Sequence, residues 1–492
     1  MKLVLAAVAM LVTGLIPPAS VAVAVAPATP RVLFDHPCED HPDYECGTIS
    51  VPMDYDRPSG ARLTVKVSKL KATGPAAQRQ GVLVYNPGGP GSSGLYRAAI
   101  LPDSVRRVYD YIGFDPRGVG GSSPISCVDG PAFFAQPVSD PDPGGPADKA
   151  RAAARARQYA TGCARRSGAE LPHLTTTDTA RDIDEIRKAL GEQRISYYGS
   201  SYGTYLGLVY GQLFPGRVRR MVLDSVADAD PADVWYRGNL DQDVALQARA
   251  EQWFDWIARH DDVFHLGVTR QAVEVAGGKA RARLAHAAIG VLGPGELDAV
   301  ILNSAYFDTN WVSNARALSD YATRSDPAAL VELARLAEPT SAAAENATAA
   351  YTAISCNEGV WPRDWTRWDR DSTAYAAKAP LETWANTWSG LPCAYWPVPN
   401  RQPMAIDGRG LPPVLMLQAT MDGATPFEGA VRTHDMVPSS RMIIESGGGS
   451  HGLYNRPQVR NACVDGYATD YLLTAAMPAA DVVCPAHPEP TP

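Results

Sequence analysis

Apolar residues along this chain follow two rhythms. In the stretch from Gly47 to Leu70, Thr48-Ile49-Ser50-Val51 and Leu63-Thr64-Val65-Lys66-Val67 alternate, separated by Asp56-Arg57-Pro58-Ser59-Gly60. Alternation at period two predicts strands with one covered face, joined through a turn. Later runs do not alternate: Val82–Tyr85, Tyr111–Phe114, Ile195–Tyr198, Met221–Leu223, Val414–Leu417 and Met442–Ile444. Such runs suit strands buried on both faces, as in a parallel sheet. Thr177 to Leu190 puts Ala180, Ile183, Ile186, Ala189 and Leu190 on one helical face, with Asp178 as the N-cap. Strands alternating with helices predict an α/β architecture.

After Asp224 the rhythm changes. From about Ala232 to Trp396 the pattern is mostly amphipathic helix, as in Val244–Ile257 and Pro327–Leu336, and every Trp lies between Trp235 and Trp396. This predicts a helical insertion, 232–396, over the mouth of a sheet-bearing domain made of 25–231 and 397–492. An aromatic-rich insertion can pack its own core and still roof a pocket, since pockets are mainly apolar. The Pro-rich tail from Pro485 is expected to fray.

The N-terminus adds a compartment. Lys2, the apolar stretch Leu3–Ile16, Pro17-Pro18 and the small residues Ala22-Val23-Ala24 read as a secretory signal, 1–24, cut after Ala24. The apolar stretch is too short to span a bilayer, and no Cys stands near the cut to take a lipid, so no membrane anchor is expected. The protein should be extracellular. Eight cysteines fit that setting: Cys38, Cys46, Cys127, Cys163, Cys356, Cys393, Cys463 and Cys484. Sequence-adjacent pairing is the expectation, although spacing alone leaves connectivity open. Cys38 with His41 and Cys484 with His487 have a zinc-like spacing, but they lie at opposite ends and no Cys-x-x-Cys completes a set. The formal net charge of −8 argues against a nucleic-acid partner.

Chemistry enters at Gly199-Ser200-Ser201-Tyr202-Gly203, which follows Ile195–Tyr198 and precedes a helical stretch holding Leu206, Val209 and Tyr210. A nucleophile elbow needs a sharp strand-to-helix turn, and flanking glycines keep side chains clear of it. The helix N-terminus favours negative charge there. Ser201 is the candidate nucleophile; Ser200 is out of register. Asn86-Pro87-Gly88-Gly89-Pro90-Gly91 follows Val82–Tyr85, where donors for an oxyanion belong, and the Gly89 and Tyr202 amides are the expected pair. Base and acid should follow in the order Ser, Asp, His. Asp422, past Val414–Leu417, and His451, in a Gly-rich loop past Met442–Ile444, both fall at carboxyl ends of strands. His451 would take the Ser201 proton and Asp422 would fix its tautomer; Asp435 and Asp465 are the alternatives for the acid. Asp115-Pro116-Arg117-Gly118 is expected to brace the oxyanion loop and the elbow.

Together these motifs resemble those of the secreted tripeptidyl aminopeptidases, relatives of the proline iminopeptidases in the α/β-hydrolase superfamily. The likeness rests on Asn86–Gly94, Asp115–Ser122, Gly199–Gly207, Asp422–Pro426 and Ser450-His451-Gly452, and runs from about Cys46 to Cys484. It implies an α/β-hydrolase fold with a mostly parallel central sheet and an inserted helical cap. It also implies a serine exopeptidase that releases short peptides, tripeptides in that family, from free N-termini, with no metal or organic cofactor. Holding a protonated α-amine calls for carboxylates. Glu358 is the first candidate, followed by Asp224, Asp228 and Asp230. The stretch Leu223–Asp228 departs from the family pattern, which leaves the length of the released peptide open. An esterase or amide hydrolase acting on a small-molecule metabolite with the same triad is the alternative. An idle binding protein is the third reading, against which the intact Ser201, Asp422 and His451 speak. Substrate, peptide or small molecule, is the one partner expected, and the chain is expected to be a monomer.

Overall fold

The computed structural model describes Phe34, residues 36–337 and residues 340–492. The expected leader and its cleavage point after Ala24 lie outside the described residues.

Ten strands form one sheet in the order β1-β2-β3-β5-β4-β6-β7-β8-β9-β10. They are β1 (His36–Cys38), β2 (His41–Pro52), β3 (Arg62–Leu70), β4 (Gly81–Asn86), β5 (Tyr109–Phe114), β6 (Ile195–Ser201), β7 (Val218–Val226), β8 (Val414–Ala419), β9 (Ser440–Ser446) and β10 (Val482–Pro485). β1, β2 and β3 pair antiparallel, β3 joins β5 antiparallel, and every pairing from β5 to β10 is parallel. The two rhythms of the sequence have a direct cause. Alternating β3 has one covered face, whereas all residues of β4, β5 and β8 are buried. In β4, Val82 and Val84 enter one core and Leu83 and Tyr85 enter the core on the opposite face. Each run therefore had to be apolar throughout.

Three expectations need correction. The helix predicted at Thr177–Leu190 spans Thr176–Ala189, and its N-cap is Thr175, whose hydroxyl accepts from the Asp178 N–H. β1 and β10 were not foreseen, because three- and four-residue edge strands carry almost no periodicity. The tail past Pro485 does not fray: His487 is 7 % exposed, Pro490 O accepts from Trp256 Nε1 at 3.1 Å, and Glu489 pairs with Arg259 at 2.7 Å.

Between β7 and β8 the chain is helical, from Tyr236–Arg259 to Thr383–Gly390. Its tryptophans divide. Trp253, Trp256 and Trp311 pack with Leu246, Phe254 and Leu318 in a core of their own. Trp235, Trp361, Trp368 and Trp396 join the core under the sheet, beside Tyr197, Tyr202 and Leu206. Only the middle of the helical stretch is thus self-contained. Cys38–Cys46, Cys127–Cys163, Cys356–Cys393 and Cys463–Cys484 are bonded, so Cys38 and Cys484 cannot serve as zinc thiolates beside His41 and His487. Among the described residues no helix is long and apolar enough to cross a membrane.

Candidate active site

Ser201 ends β6 and caps the helix Tyr202–Leu213, with φ 57° and ψ −131°. A non-glycine residue at positive φ is strained, and such strain persists where the surroundings over-determine it. The surroundings here are tight. Gly88 (φ +97°) lies so close beneath the bend that a Cβ on it would stand 2.9 Å from Ser201 Cβ and 3.0 Å from Tyr202 N. Only glycine lets the β4 loop approach this closely. The Gly88 N–H donates to Asn86 Oδ1 at 3.0 Å. Among the described residues, the Gly89 N–H has no acceptor. Tyr202 opens its helix, where N–H groups have no intrahelical acceptor. Ser201 itself is half-buried, and its hydroxyl bonds to no described residue.

Asp422 and His451 come together just past β8 and β9. His451 Nδ1 lies 3.0 Å from both Oδ1 and Oδ2 of Asp422. Asp422 is buried, and its Oδ1 also accepts from the Ala424 and Thr425 N–H groups at 2.9 and 3.0 Å. Burial alone would raise its pKa; the His451 charge, that ring's hydrogen bond, and the Thr425 amide and Ser225 hydroxyl outweigh it and hold the carboxyl below its usual range. Nδ1 is thereby engaged, which leaves Nε2 open to a further partner. The ring packs edge-on against Tyr306 and beside Phe307, and the His451 N–H donates to Tyr306 O at 2.8 Å.

β7 ties this pair to the elbow. Ser201 lies opposite Val226 in the β6–β7 register, and neighbouring strands stand roughly 5 Å apart. From β7, Ser225 Oγ accepts the Gly452 N–H at 2.7 Å. Asp224 accepts the Leu453 and Tyr454 N–H groups at 2.9 and 3.1 Å and the Tyr198 hydroxyl at 2.8 Å. Arg117, expected to brace the oxyanion loop and the elbow, instead ties the helix Thr176–Ala189 to the end of β2: fully buried, it grips Asp182 through Nε at 2.7 Å and Nη2 at 2.6 Å and donates to the Met53, Pro52 and His173 carbonyls.

The carboxylates expected to meet an amine are occupied elsewhere. Asp224 is buried under the His451 loop, as just described. Asp228 pairs with Arg432 Nε at 3.0 Å and accepts the Asp230 N–H at 3.0 Å, and Asp230 accepts the Ala232 N–H at 2.9 Å. Glu358 accepts the Thr176 N–H at 2.7 Å and its hydroxyl at 2.6 Å, at the start of the helix Thr176–Ala189. Burial pushes its pKa up to about 7 against those bonds. It closes a helix end.

Two other acids lie near the Tyr306 ring that packs on His451. Asp243 lies on the helix Tyr236–Arg259, one position from Gln242, whose amide donates to Ala424 O at 2.6 Å. One turn further on, Leu246 abuts Gly423. Asn386 Nδ2 meets Asp243 Oδ1 at 2.8 Å, yet burial pushes this carboxyl up to about 7. Glu382, just before the helix Thr383–Gly390, is raised well above the usual range, first by burial and then by Asp243 and Asp298. Asp298 is paired with Arg281 at 2.9 Å; Glu382 has no cation or hydrogen-bond donor for its carboxylate among the described residues. Glu382, Tyr306 and Tyr351 are encased by protein yet each keeps part of its surface accessible. The Tyr306 hydroxyl is raised by burial and then by Glu382, Tyr351, Asp422 and Asp243, which puts both acids within electrostatic reach of a ring touching His451. Tyr351 abuts Gly91 of the loop after β4. Asp243 left a trace in the sequence: it stands on the stripe Leu246, Ala250, Trp253, Ile257 at helical spacing, an acid on an apolar face. Glu382 left none.

Residues 81–457 match the family model of the α/β hydrolase fold. Over 459 residues the chain is 47 % identical to a tripeptidyl aminopeptidase of Streptomyces coelicolor, covering 91 % of this chain and 84 % of that one. It is 30 % identical to serine protease Hip1 of Mycobacterium tuberculosis, covering 89 % and 87 %. It is 29 % identical to a carboxylesterase B of the same species, covering 89 % and 86 %.

Proposed function

Because this chain belongs to the α/β-hydrolase family, as a serine peptidase akin to the tripeptidyl aminopeptidases, we propose that it is a secreted exopeptidase releasing short peptides, tripeptides foremost, from free N-termini. Ser201 Oγ attacks the scissile carbonyl carbon while His451 Nε2 takes its proton; Asp422 holds the ring and balances the imidazolium. The oxygen, now negative, is received by the Gly89 and Tyr202 amides. The C–N bond breaks as His451 returns the proton to the leaving amine, and water, activated by the same ring, releases the peptide from Ser201. Four disulfides and the leader-like residues 1–24 support export.

Exopeptidase action needs a stop for the substrate's α-ammonium, and Asp243 with Glu382 fill that role. Two desolvated carboxylates within electrostatic reach of each other repel and lack a cation; an ammonium group offers both charge and donors. The observation carrying this reading is Glu382, encased and unpaired within electrostatic reach of a ring that packs on His451. The test offers a free-amine tripeptide anilide, its N-acetylated twin and a short acyl ester. The free-amine peptide should be cleaved at least about 100-fold better than the acetylated one, as a lost charge-assisted pair implies. In Glu382→Gln that ratio should collapse through KM while the ester rate stays. Equal cleavage of both peptides by the wild type contradicts the assignment. The carboxylesterase-named relative favours a second reading, an esterase on a small metabolite; it predicts ester preference and indifference to Glu382→Gln.

A further inference from the structure

The last residues of the chain run between the two parts that hold His451. β10 lies parallel to β9 with Cys484 opposite Glu445, and the Cys463–Cys484 bond fixes it to the helix Ala462–Thr474. Beyond Pro485 the chain crosses to the helical insertion, ending against Trp256 and Arg259. Midway, buried His487 uses every donor it has. Its backbone N–H and its Nδ1 each meet Glu445 Oε1 at 2.7 Å, and its Nε2 meets Asp308 Oδ2 at 2.9 Å. Asn461 Nδ2 also reaches Glu445, at 2.8 Å. Asp308 in turn pairs with Arg249, whose guanidinium lies 4.7 Å from the Trp311 ring centre. Arg249, Asp308, His487 and Glu445 form a row of alternating charge from insertion to sheet.

Both ends of that row hold a wall of the His451 loop. On the sheet side, Glu445 O accepts the Thr420 N–H at 3.0 Å, and Gly448 O accepts the Met421 N–H at 2.9 Å, beside Asp422. Gly449, two residues before His451, packs on Arg249 so closely that a Cβ would stand 2.4 Å from Nε. On the insertion side, Asp308 follows directly on Tyr306 and Phe307, the rings that flank His451. We propose that His487 is a positioning residue: bound to one acid of the sheet and one of the insertion, it holds the two walls of the His451 loop in register for proton transfer from Ser201. The inference rests on His451 being the general base.

The row has a pH of its own. Burial would lower the His487 pKa; Asp308 and Glu445 outweigh burial and push it up to about 9. Against the same burial, His487 and Arg249 hold Asp308 below the usual range, and His487 and Asn461 do so for Glu445. The groups facing the ring are Glu445 and Asn461 from the sheet side, and Asp308 with Arg249 behind it from the insertion. Below pH about 9 the ring is a cation between two anions; above it one contact must break.

The test is the rate at which a fluorophosphonate labels the full-length protein, measured from about pH 6 to about pH 10. The probe carries no amine, so substrate ionisation does not enter. The wild-type rate should fall about tenfold with a midpoint near pH 9, and His487→Gln should be about tenfold slow at neutral pH and lack that fall. On the peptide anilide the variant should lose kcat and keep KM. His487→Gln reacting at the wild-type rate, or a wild-type rate that holds through about pH 10, overturns the inference. Should His487→Gln fail to fold, Asp308→Asn decides: the midpoint should move lower, and an unmoved midpoint overturns the proposal. Label mapped to Ser201 keeps the triad reading even where the His487 inference fails; label absent from Ser201 removes the reading itself.

Discussion

Ser201 holds a conformation that costs energy, φ 57° with ψ −131°, and the cost can be measured apart from activity. A non-glycine residue there stores roughly 1–3 kcal/mol. Ser201→Ala should stay folded, lose turnover and unfold at nearly the wild-type midpoint. Ser201→Gly, equally inactive, should be more stable than Ser201→Ala by about 1 kcal/mol after glycine's extra unfolded-state entropy is set against the relieved strain. Denaturant titration of the two variants decides; equal midpoints would mean the bend is relaxed. Asp243 gives a second residue-scale test. Its folded pKa, near 7, is raised, so the folded protein keeps this proton longer than the unfolded chain does. This carboxyl's contribution to stability therefore falls as pH rises from about 4 through about 7. Asp243→Asn should escape that fall, gaining on the wild type above pH 7 and matching it near pH 4, as read from melting temperature against pH. At this scale the sequence was legible where chemistry needs special backbone. Ser201, Gly88 and His451 are marked by the glycines around them. Asp243 and Glu382, proposed to meet the amine, were not, because a carboxylate is made unusual by what surrounds it, and Glu382 sits in an ordinary Leu-Glu-Thr stretch.

At the scale of elements, the long fully buried strands were readable and the edges were not. β4, β5 and β8 needed apolar residues on both faces; β1 and β10 are held by disulfides and by single side chains instead. The same holds for the helix Ala342–Asn357. Its C-terminal end is tied by Cys356–Cys393 to Leu391–Tyr395 and by Asn357 Nδ2 to Leu171 O and Leu174 O. That end lies between Tyr351, which abuts Gly91, and Glu358 at the neighbouring helix, so the bond fixes the wall beside the loop after β4. Replacing both cysteines by Ala should cost roughly 2–5 kcal/mol and raise KM for the peptide more than it lowers kcat. Stability unchanged by that double substitution, in a protein whose thiols are otherwise all bonded, would show that the packing of Trp361 and Trp396 alone holds the wall.

Across the whole molecule, the sheet brings together residues far apart in the chain by setting them at the ends of β4, β6, β8 and β9. β7 lies between β6 and β8, and its Asp224 and Ser225 anchor the His451 loop beside the elbow. The helical stretch then supplies the rings around His451 and, within electrostatic reach of them, Asp243 and Glu382. Its two cores explain why the change of rhythm after Asp224 was visible while its internal division was not: tryptophans of both cores look alike in sequence and differ only in partner. The account as a whole depends on Ser201 becoming covalently attached to the peptide it releases. Quenching the enzyme in acid during turnover of a slow tripeptide ester, then weighing its proteolytic fragments, measures this directly. The fragment holding Ser201 should be heavier by one tripeptidyl group, and should lose it on reaction with hydroxylamine. Steady product formation with that fragment unmodified, or with the mass on another residue, would contradict the mechanism.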